Sequence, residues 1–535
     1  MTAPPGETVG GPGEPILPVW RIRSIARRID GYLRQSNKTL QNKDRITNNR
    51  IQEQHEGREM LSFRKPSGSI DIPSLSQGSG GATPHDAAGP AATEPASLEQ
   101  IARHRRILLL QGPNGPFFAR LRDLLTAKGC QVTKVNFNGG DDAFYRRGDI
   151  VRFVQPMVLW EAVLRSLVAE RRIDAIVVFG TSRRHHRIAA RVAEALGIAL
   201  WAFEEGYVRP DYITLECGGV NADSPLDLLG IPEIPKVTVP PKPRKFRHSF
   251  RKMALYSFWY FAGGMAAASR YPHYQHHKPF GVHELGQWTR AAYRKQVYRW
   301  QERSLREQLL ANEHPHFFLA PLQVYNDSQI RVHSPWRRIE DFIEWTAHSF
   351  AEHAPADSVL VFKHHPMDRG HSDYAAFIEA CAARFGASGR IVYIHDAHLP
   401  SLMHRCMGLV TVNSTTGLQA LFHRVPVIAL GRCFYAKPGL TYQGSLDAFW
   451  NDPGAVDMRV YARFRNYLVR VSQINSSFYA DDMLVPVPEQ RRKDLQRRKL
   501  ARLLFVAGLV TADAYSGRVW DINATVNVLA ALLVG

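Results

Sequence analysis

Cysteine is scarce and scattered: five residues in 535 (Cys130, Cys217, Cys381, Cys406 and Cys433), an odd count with no Cys-x-x-Cys pair. This argues against a disulfide framework or a thiolate zinc site and fits a reducing compartment. No run of eighteen apolar residues occurs. The nearest stretch, Met253–Ala268, falls short of the roughly 30 Å hydrocarbon core at about 1.5 Å of rise per residue. The opening residues Met1–Glu7 lack the basic-then-apolar order of a signal peptide, so a cytoplasmic protein, peripheral on a membrane, is expected. Acidic charge is also in short supply: 68 Lys and Arg face 49 Asp and Glu, a formal charge of +19. Such a balance favours a nucleic acid, an anionic membrane or a phosphorylated substrate. Helix-turn-helix, zinc-finger and RRM signatures are missing, which weighs against nucleic acid. The His-rich run Tyr271–His277 has no Asp, Glu or Cys at ligand spacing, so neither a metal nor a cofactor is expected.

What is present begins with a change of composition. Residues 1–103 are rich in Pro, Gly, Ser and Ala with little apolar area, and read as a disordered extension with one short helix near Val19–Leu33. From Arg105 apolar runs alternate with helical spacings. Ile107–Leu110, Gln131–Phe137, Asp174–Phe179 and Ile198–Phe203 read as strands of one Rossmann-like domain, 104–235. A Pro- and Lys-rich bridge and a helical, aromatic linker region fill 236–312. A second series of strands, His316–Ala320, Ser358–Phe362, Arg390–Ile394, Leu409–Val412 and Val425–Leu430, defines a second Rossmann-like domain over 313–460, and 461–535 reads as C-terminal helices. The fold class is therefore α/β and GT-B-like, two Rossmann-like domains facing across a cleft, an arrangement used by glycosyltransferases with nucleotide-sugar donors. Fold alone does not settle function.

The chemistry-bearing residues fall at strand ends, where open α/β sheets bind ligands. Lys363-His-His-Pro366 ends one strand, and Asn413-Ser-Thr-Thr-Gly417 ends another and opens a helix. Cations and a hydroxyl-rich helix start can hold a phosphate, making Lys363, His365, Pro366, Asn413, Ser414 and Thr415 the donor-binding candidates. In the first domain Glu204 and Glu205 stand together at a strand end before Gly206. Two close carboxylates raise one pKa, which suits a base or a carboxylate nucleophile, and alternation along a strand lets only one face the cleft. Asn138, Gly139, the Gln111–Pro116 loop and Arg209 are further candidates for a sugar carboxylate; the Gln111 loop lacks the Lys-Ser/Thr of a P-loop. Two basic stretches, Lys242–Lys252 before the aromatic run 253–268 and Arg491–Leu504, suit anionic lipid or a solvated helix face equally.

Six motifs in order, Gln111–Phe118, Lys134–Asp141, Phe203–Glu216, Tyr271–His277, Lys363–Pro366 and Asn413–Gly417, resemble the capsule polysaccharide biosynthesis proteins of the KpsS/LipB type. The resemblance covers about 105–480. It implies a retaining β-Kdo transferase that uses CMP-Kdo and a lyso-phosphatidylglycerol acceptor at the cytoplasmic face of a Gram-negative inner membrane, with a KpsC-type chain-extending transferase acting next. It places the CMP moiety at His365-Pro366 and Ser414-Thr415 and the catalytic carboxylate at Glu205, where KpsC relatives carry Asp. Another CMP-sugar such as CMP-sialic acid, or a non-catalytic capsule assembly or export component, are the alternatives.

Overall fold

The computed structural model describes residues 96–480, apart from 247–248, 276–281, 312–316, 326, 328–329 and 331–332. The helix expected near 19–33 and the basic stretch 491–504 lie outside these residues. Within 96–103, assigned from sequence to the extension, a short helix Ala96–Ile101 buries Leu98 and Ile101 against the first domain.

The first sheet contains β1 (Arg106–Leu109), β2 (Gln131–Asn136), β3 (Asp149–Arg152), β4 (Ala175–Phe179), β5 (Ala199–Glu205), β6 (Ile213–Cys217) and β12 (Gln473–Ile474), in the order β12-β6-β5-β4-β1-β2-β3. β1 to β5 are parallel, while at one edge β6 pairs antiparallel to β5 and β12 antiparallel to β6. Helices cover both faces, so the inner strands read as unbroken apolar runs such as Ile107–Leu110. The short strands β3, β6 and β12 escape sequence reading: Asp149–Arg152 and Gln473–Ile474 have neither length nor alternation.

The second sheet contains β7 (Phe317–Pro321), β8 (Val359–Lys363), β9 (Ile391–Ile394), β10 (Gly408–Thr411) and β11 (Val427–Ala429), all parallel, in the order β11-β10-β7-β8-β9. The order reverses between β7 and β10, which opens a crevice at their carboxyl ends.

The aromatic linker region is shared between the domains. Helix Ser249–Ala266 packs on helix Gly139–Phe144 of the first. Helix Val282–Gln301 and the residue after it dock on the second: Tyr298 Oη donates to Asp373 at 2.8 Å, and Glu302 accepts from the His395 and Asp396 amides at 2.9 Å. The domains meet through Tyr207, Leu226, Ile231 and Ile234, which join the second domain's core. The Tyr207 and Phe434 rings lie 4.5 Å apart, and Lys437 Nζ donates to the Asp227 carbonyl at 3.1 Å. Helix Met458–Ser472 then crosses back to supply β12, whose Gln473 side chain accepts from the Tyr207 amide at 3.0 Å.

The contact between helices 249–266 and 139–144 depends on glycine. A methyl group on Gly139 would overlap the Gly263 carbonyl oxygen, and one on Gly140 would come within 2.5 Å of the Tyr260 carbonyl oxygen. Gly139→Ala should therefore lower stability by about 1–3 kcal/mol in a denaturant titration. Gly264→Ala, with no atom within 4 Å of the new methyl, should be neutral or raise it by about 0.5–1 kcal/mol through the helix interior's preference for Ala.

Candidate functional site

Parallel pairing of β7, β8 and β10 brings three loops to one edge of the second sheet. There, a cavity of about 480 Å³ is lined by Leu322 after β7, Lys363 to Pro366 after β8 and Ser414 to Thr416 after β10. Its opposite wall is Tyr207 to Pro210 from the first domain, and Phe464, Arg465 and Leu468 of the crossing helix close it. Of the expected donor-binding residues, Lys363, His365, Pro366, Ser414 and Thr415 share this cavity. Asn413 does not line it: its amide group bonds Gln323, accepting from Nε2 at 3.1 Å, and ties the loops after β7 and β10 together.

Lys363 is the centre of the electrostatics. It is only 4% exposed and its Nζ donates to the His364 carbonyl at 3.1 Å. Among the described residues no carboxylate lies within ion-pair distance of it. Burial, aided by Arg369, pushes its pKa down to about 8, against the pull of Asp396 and Glu302. A buried ammonium without a counter-ion is a strong site for an incoming anion. Arg209 and Arg465 add positive charge on the facing walls.

The two histidines do not act as the cations expected from sequence. His364 is buried, its Nδ1 is 2.5 Å from Tyr393 Oη, and burial holds its pKa down at about 3. Burial with the Lys363 and Arg209 charges lowers His365 to about 4. His365 caps the turn Pro366–Asp368, its Nδ1 accepting from the Met367 amide at 3.2 Å. The proton of the neutral ring then sits on Nε2, which makes His365 a donor of a hydrogen bond and not of charge. Ser414 Oγ likewise accepts from the Thr416 amide at 3.2 Å and donates to Thr416 Oγ1 at 2.9 Å. The helix behind it, Thr416–Phe422, has seven residues, so the hydroxyls and Lys363 carry more of the anion-binding capacity than its dipole does.

The paired carboxylates divide as strand alternation requires. Glu204 Oε1 accepts from the Glu205 amide at 3.0 Å and Oε2 from Asn221 Nδ2 at 3.3 Å. Burial and the neighbouring Glu205 charge lift its pKa to about 7 against those hydrogen bonds. Glu205 points the other way, into a hollow of about 330 Å³ that shares Arg209 and Pro210 with the larger cavity. Though its side chain is exposed, the surrounding walls raise its pKa and Arg209 opposes them. Arg209 thus stands between the carboxylate and the anion site.

The remaining candidates lie elsewhere in the first domain. Asn138 caps helix 139–144, accepting from the Asp141 amide at 2.9 Å, and donates to Tyr260 Oη at 2.8 Å. Gly139 is occupied by helix packing, so neither residue opens on the cleft. Gln111 is buried and donates to Tyr260 and Tyr274 at 2.8 and 2.9 Å. It borders a separate hollow of about 550 Å³ beside Arg183 and Arg184, where the first sheet's strand order reverses. Of the His-rich run, Tyr271 donates to Asp142 at 2.7 Å, while His276 and His277 fall outside the described residues. Among the described residues no three His, Cys, Asp or Glu side chains group as a metal site.

Sequence reasoning missed Arg465, Phe464 and Tyr207. The crossing helix carries an apolar stripe at Tyr461, Phe464 and Leu468, but nothing local shows that this stripe meets a cleft more than forty residues upstream.

Residues 174–479, which contain both walls of the cavity, match the family described as capsule polysaccharide biosynthesis protein. The chain belongs to that family. It is 39% identical to the Escherichia coli capsule polysaccharide export protein KpsS over 72% of this chain and 99% of that one. It is 40% identical to the capsule polysaccharide modification protein LipB of Neisseria meningitidis over 70% of this chain and 91% of that one. Among solved structures, a Thermosulfurimonas dismutans KpsC β-Kdo 2,7 transferase aligns at a TM-score of 0.31 and 13% identity, over 68% of this chain and 90% of that one. In this capsule polysaccharide biosynthesis protein no described helix is long and apolar enough to cross a membrane.

The state of Lys363 predicts a pH profile for anion binding. Below a pKa of about 8 the ammonium attracts phosphate, and above it the neutral amine does not. Affinity for sulfate, an anion whose own charge is constant over this range, titrated calorimetrically, should therefore weaken as pH rises through about 8. It should show no break at about pH 6.5, the ordinary histidine value, because His364 and His365 are already neutral there. Lys363→Met should lower affinity and abolish the alkaline break.

Proposed function

We propose that this chain is a retaining glycosyltransferase that moves β-Kdo from CMP-Kdo to a lyso-phosphatidylglycerol acceptor at the inner membrane, starting the linker of a capsular polysaccharide. The observation that carries the reading is the interdomain cavity in which a buried, carboxylate-free Lys363 meets Arg209, Arg465, the His365 Nε2–H donor and the hydroxyls of Ser414 to Thr416. A CMP leaving group gains negative charge on its phosphate as the bond to the sugar breaks, and fixed donors in a water-poor pocket stabilise that charge best. Arg209 is suited to hold the carboxylate of a keto-sugar acid between the phosphate site and Glu205. Glu205 is the proposed nucleophile or base. The family membership supports a role in capsule assembly, and a KpsC-type transferase is the proposed next enzyme.

A pocket of this charge would accept CMP-sialic acid as well, since both sugars carry a carboxylate beside the anomeric carbon. The Escherichia coli relative is named an export protein, but a non-catalytic export component would have no need of a buried lysine without an ion-pair partner at a strand-end crevice.

A transfer assay separates these readings. Full-length protein, CMP-Kdo generated in situ and a fluorescent lyso-phosphatidylglycerol should give one added Kdo by mass spectrometry. Glu205→Ala should cut turnover by about 10²-fold or more, the scale of a lost acid–base group, while leaving CMP affinity intact. Turnover with CMP-sialic acid alone would transfer the proposal to that donor. Loss of activity in Glu204→Gln with Glu205→Ala active would pass the carboxylate role to Glu204.

A further inference from the structure

Helix Ser249–Ala266 is apolar on both faces, and among the described residues only one of them is covered. At 100° per residue, Tyr256, Tyr260 and Gly263 fall on one side. Tyr260 is buried, and this side packs on helix 139–144. The opposite half-circle carries Phe250, Phe258, Met265 and Trp259, which are 65, 61, 62 and 56% exposed, with Leu255 and Arg251 between them. The Phe258 and Trp259 rings pack edge-to-face at 5.4 Å. A helix that is apolar all round is normally enclosed by protein or lipid, and a continuous bare patch of this kind marks an interaction surface.

Charge identifies the occupant. From Ile234 to His283 the chain carries nine Lys and Arg and no Asp or Glu. Lys242, Lys245 and Arg251 are exposed just before and at the start of the helix. Aromatic and long aliphatic side chains over a cationic flank match an anionic bilayer surface, where rings sit at the headgroup boundary and cations meet phosphate. The helix cannot span a bilayer, because no described helix is long and apolar enough to do so and its other face is held by Gly139 and Gly140.

We propose that this exposed face is an interfacial docking surface that lays the first domain on an anionic phospholipid membrane. The proposal deepens the lipid-acceptor reading above by naming the surface that brings the site to its acceptor. It is decided by vesicle binding and not by turnover.

The test is flotation of the full-length protein with vesicles of phosphatidylethanolamine and phosphatidylglycerol, and with vesicles of phosphatidylcholine alone. Wild type should float with the anionic vesicles, more weakly as salt rises, and not with the zwitterionic ones. The double variant Phe258→Ser/Trp259→Ser should lower the partition by about tenfold or more, equivalent to about 1.4 kcal/mol, with CMP affinity unchanged. Arg251→Glu, an exposed single change, serves as a second variant if the double one does not fold, and should also weaken anionic binding. Equal flotation of the variants and wild type, or no flotation of wild type, overturns the proposal. So does a wild-type dimer that the double variant makes monomeric, since the face then joins two copies of the chain. Vesicle binding without Kdo transfer would leave this surface standing and remove the donor reading alone.

Discussion

Parallel strand pairing is the constraint on which the functional geometry depends. Because β7, β8 and β10 run the same way, the loops that follow them must emerge at one edge. The reversal of strand order between β7 and β10 holds two of those loops apart. Lys363 ends β8 and Ser414 follows β10, so residues 51 positions apart in the chain share one wall. The first sheet obeys the same rule, and β5 presents Glu204 and Glu205 at its carboxyl end. The cavity forms because the crossing helix and the Tyr207–Phe434 contact hold the two edges together.

Within that frame the polar groups are not equivalent. Backbone geometry uses up part of the chemistry: Ser414 and His365 each cap a turn, and Asn413 braces two loops. What remains available to a ligand is the charge of Lys363, Arg209 and Arg465 together with Nε2–H and hydroxyl donors. Burying an ammonium without a carboxylate costs stability. The protein tolerates this cost at a strand-end crevice where an anion would offset it.

The first domain spends its conspicuous motif residues differently. Asn138 and Gly139 look like a ligand loop, yet they cap a helix and admit another helix at close range. The consequence lies on the far side of that second helix, where aromatic side chains stand exposed. Strong helical amphipathicity is absent from 249–266 because one face packs on helix 139–144 and the other carries exposed apolar side chains, so both are apolar. Periodicity therefore could not tell the two faces apart.

Local sequence determined the elements and the residue types at their ends. Long apolar runs such as Ser358–Phe362 and Leu409–Val412 read as buried strands, and Lys363-His-His-Pro366 and Asn413-Ser-Thr-Thr-Gly417 follow them directly. The two-domain α/β architecture was legible for this reason, and so were the residue types along one wall of the cavity. Tertiary structure alone decided what those side chains do. Whether His365 carries a charge depends on burial and on the Met367 amide beneath it. How the two adjacent glutamates are held apart depends on Asn221, which binds Glu204 from seventeen residues downstream, and on the separate hollow that receives Glu205. Arg465 enters the site through a helix that crosses between domains, and strands as short as β3 and β12 exist only because neighbouring strands supply their hydrogen bonds. Each of these outcomes rests on groups distant in sequence, and no local pattern encodes them.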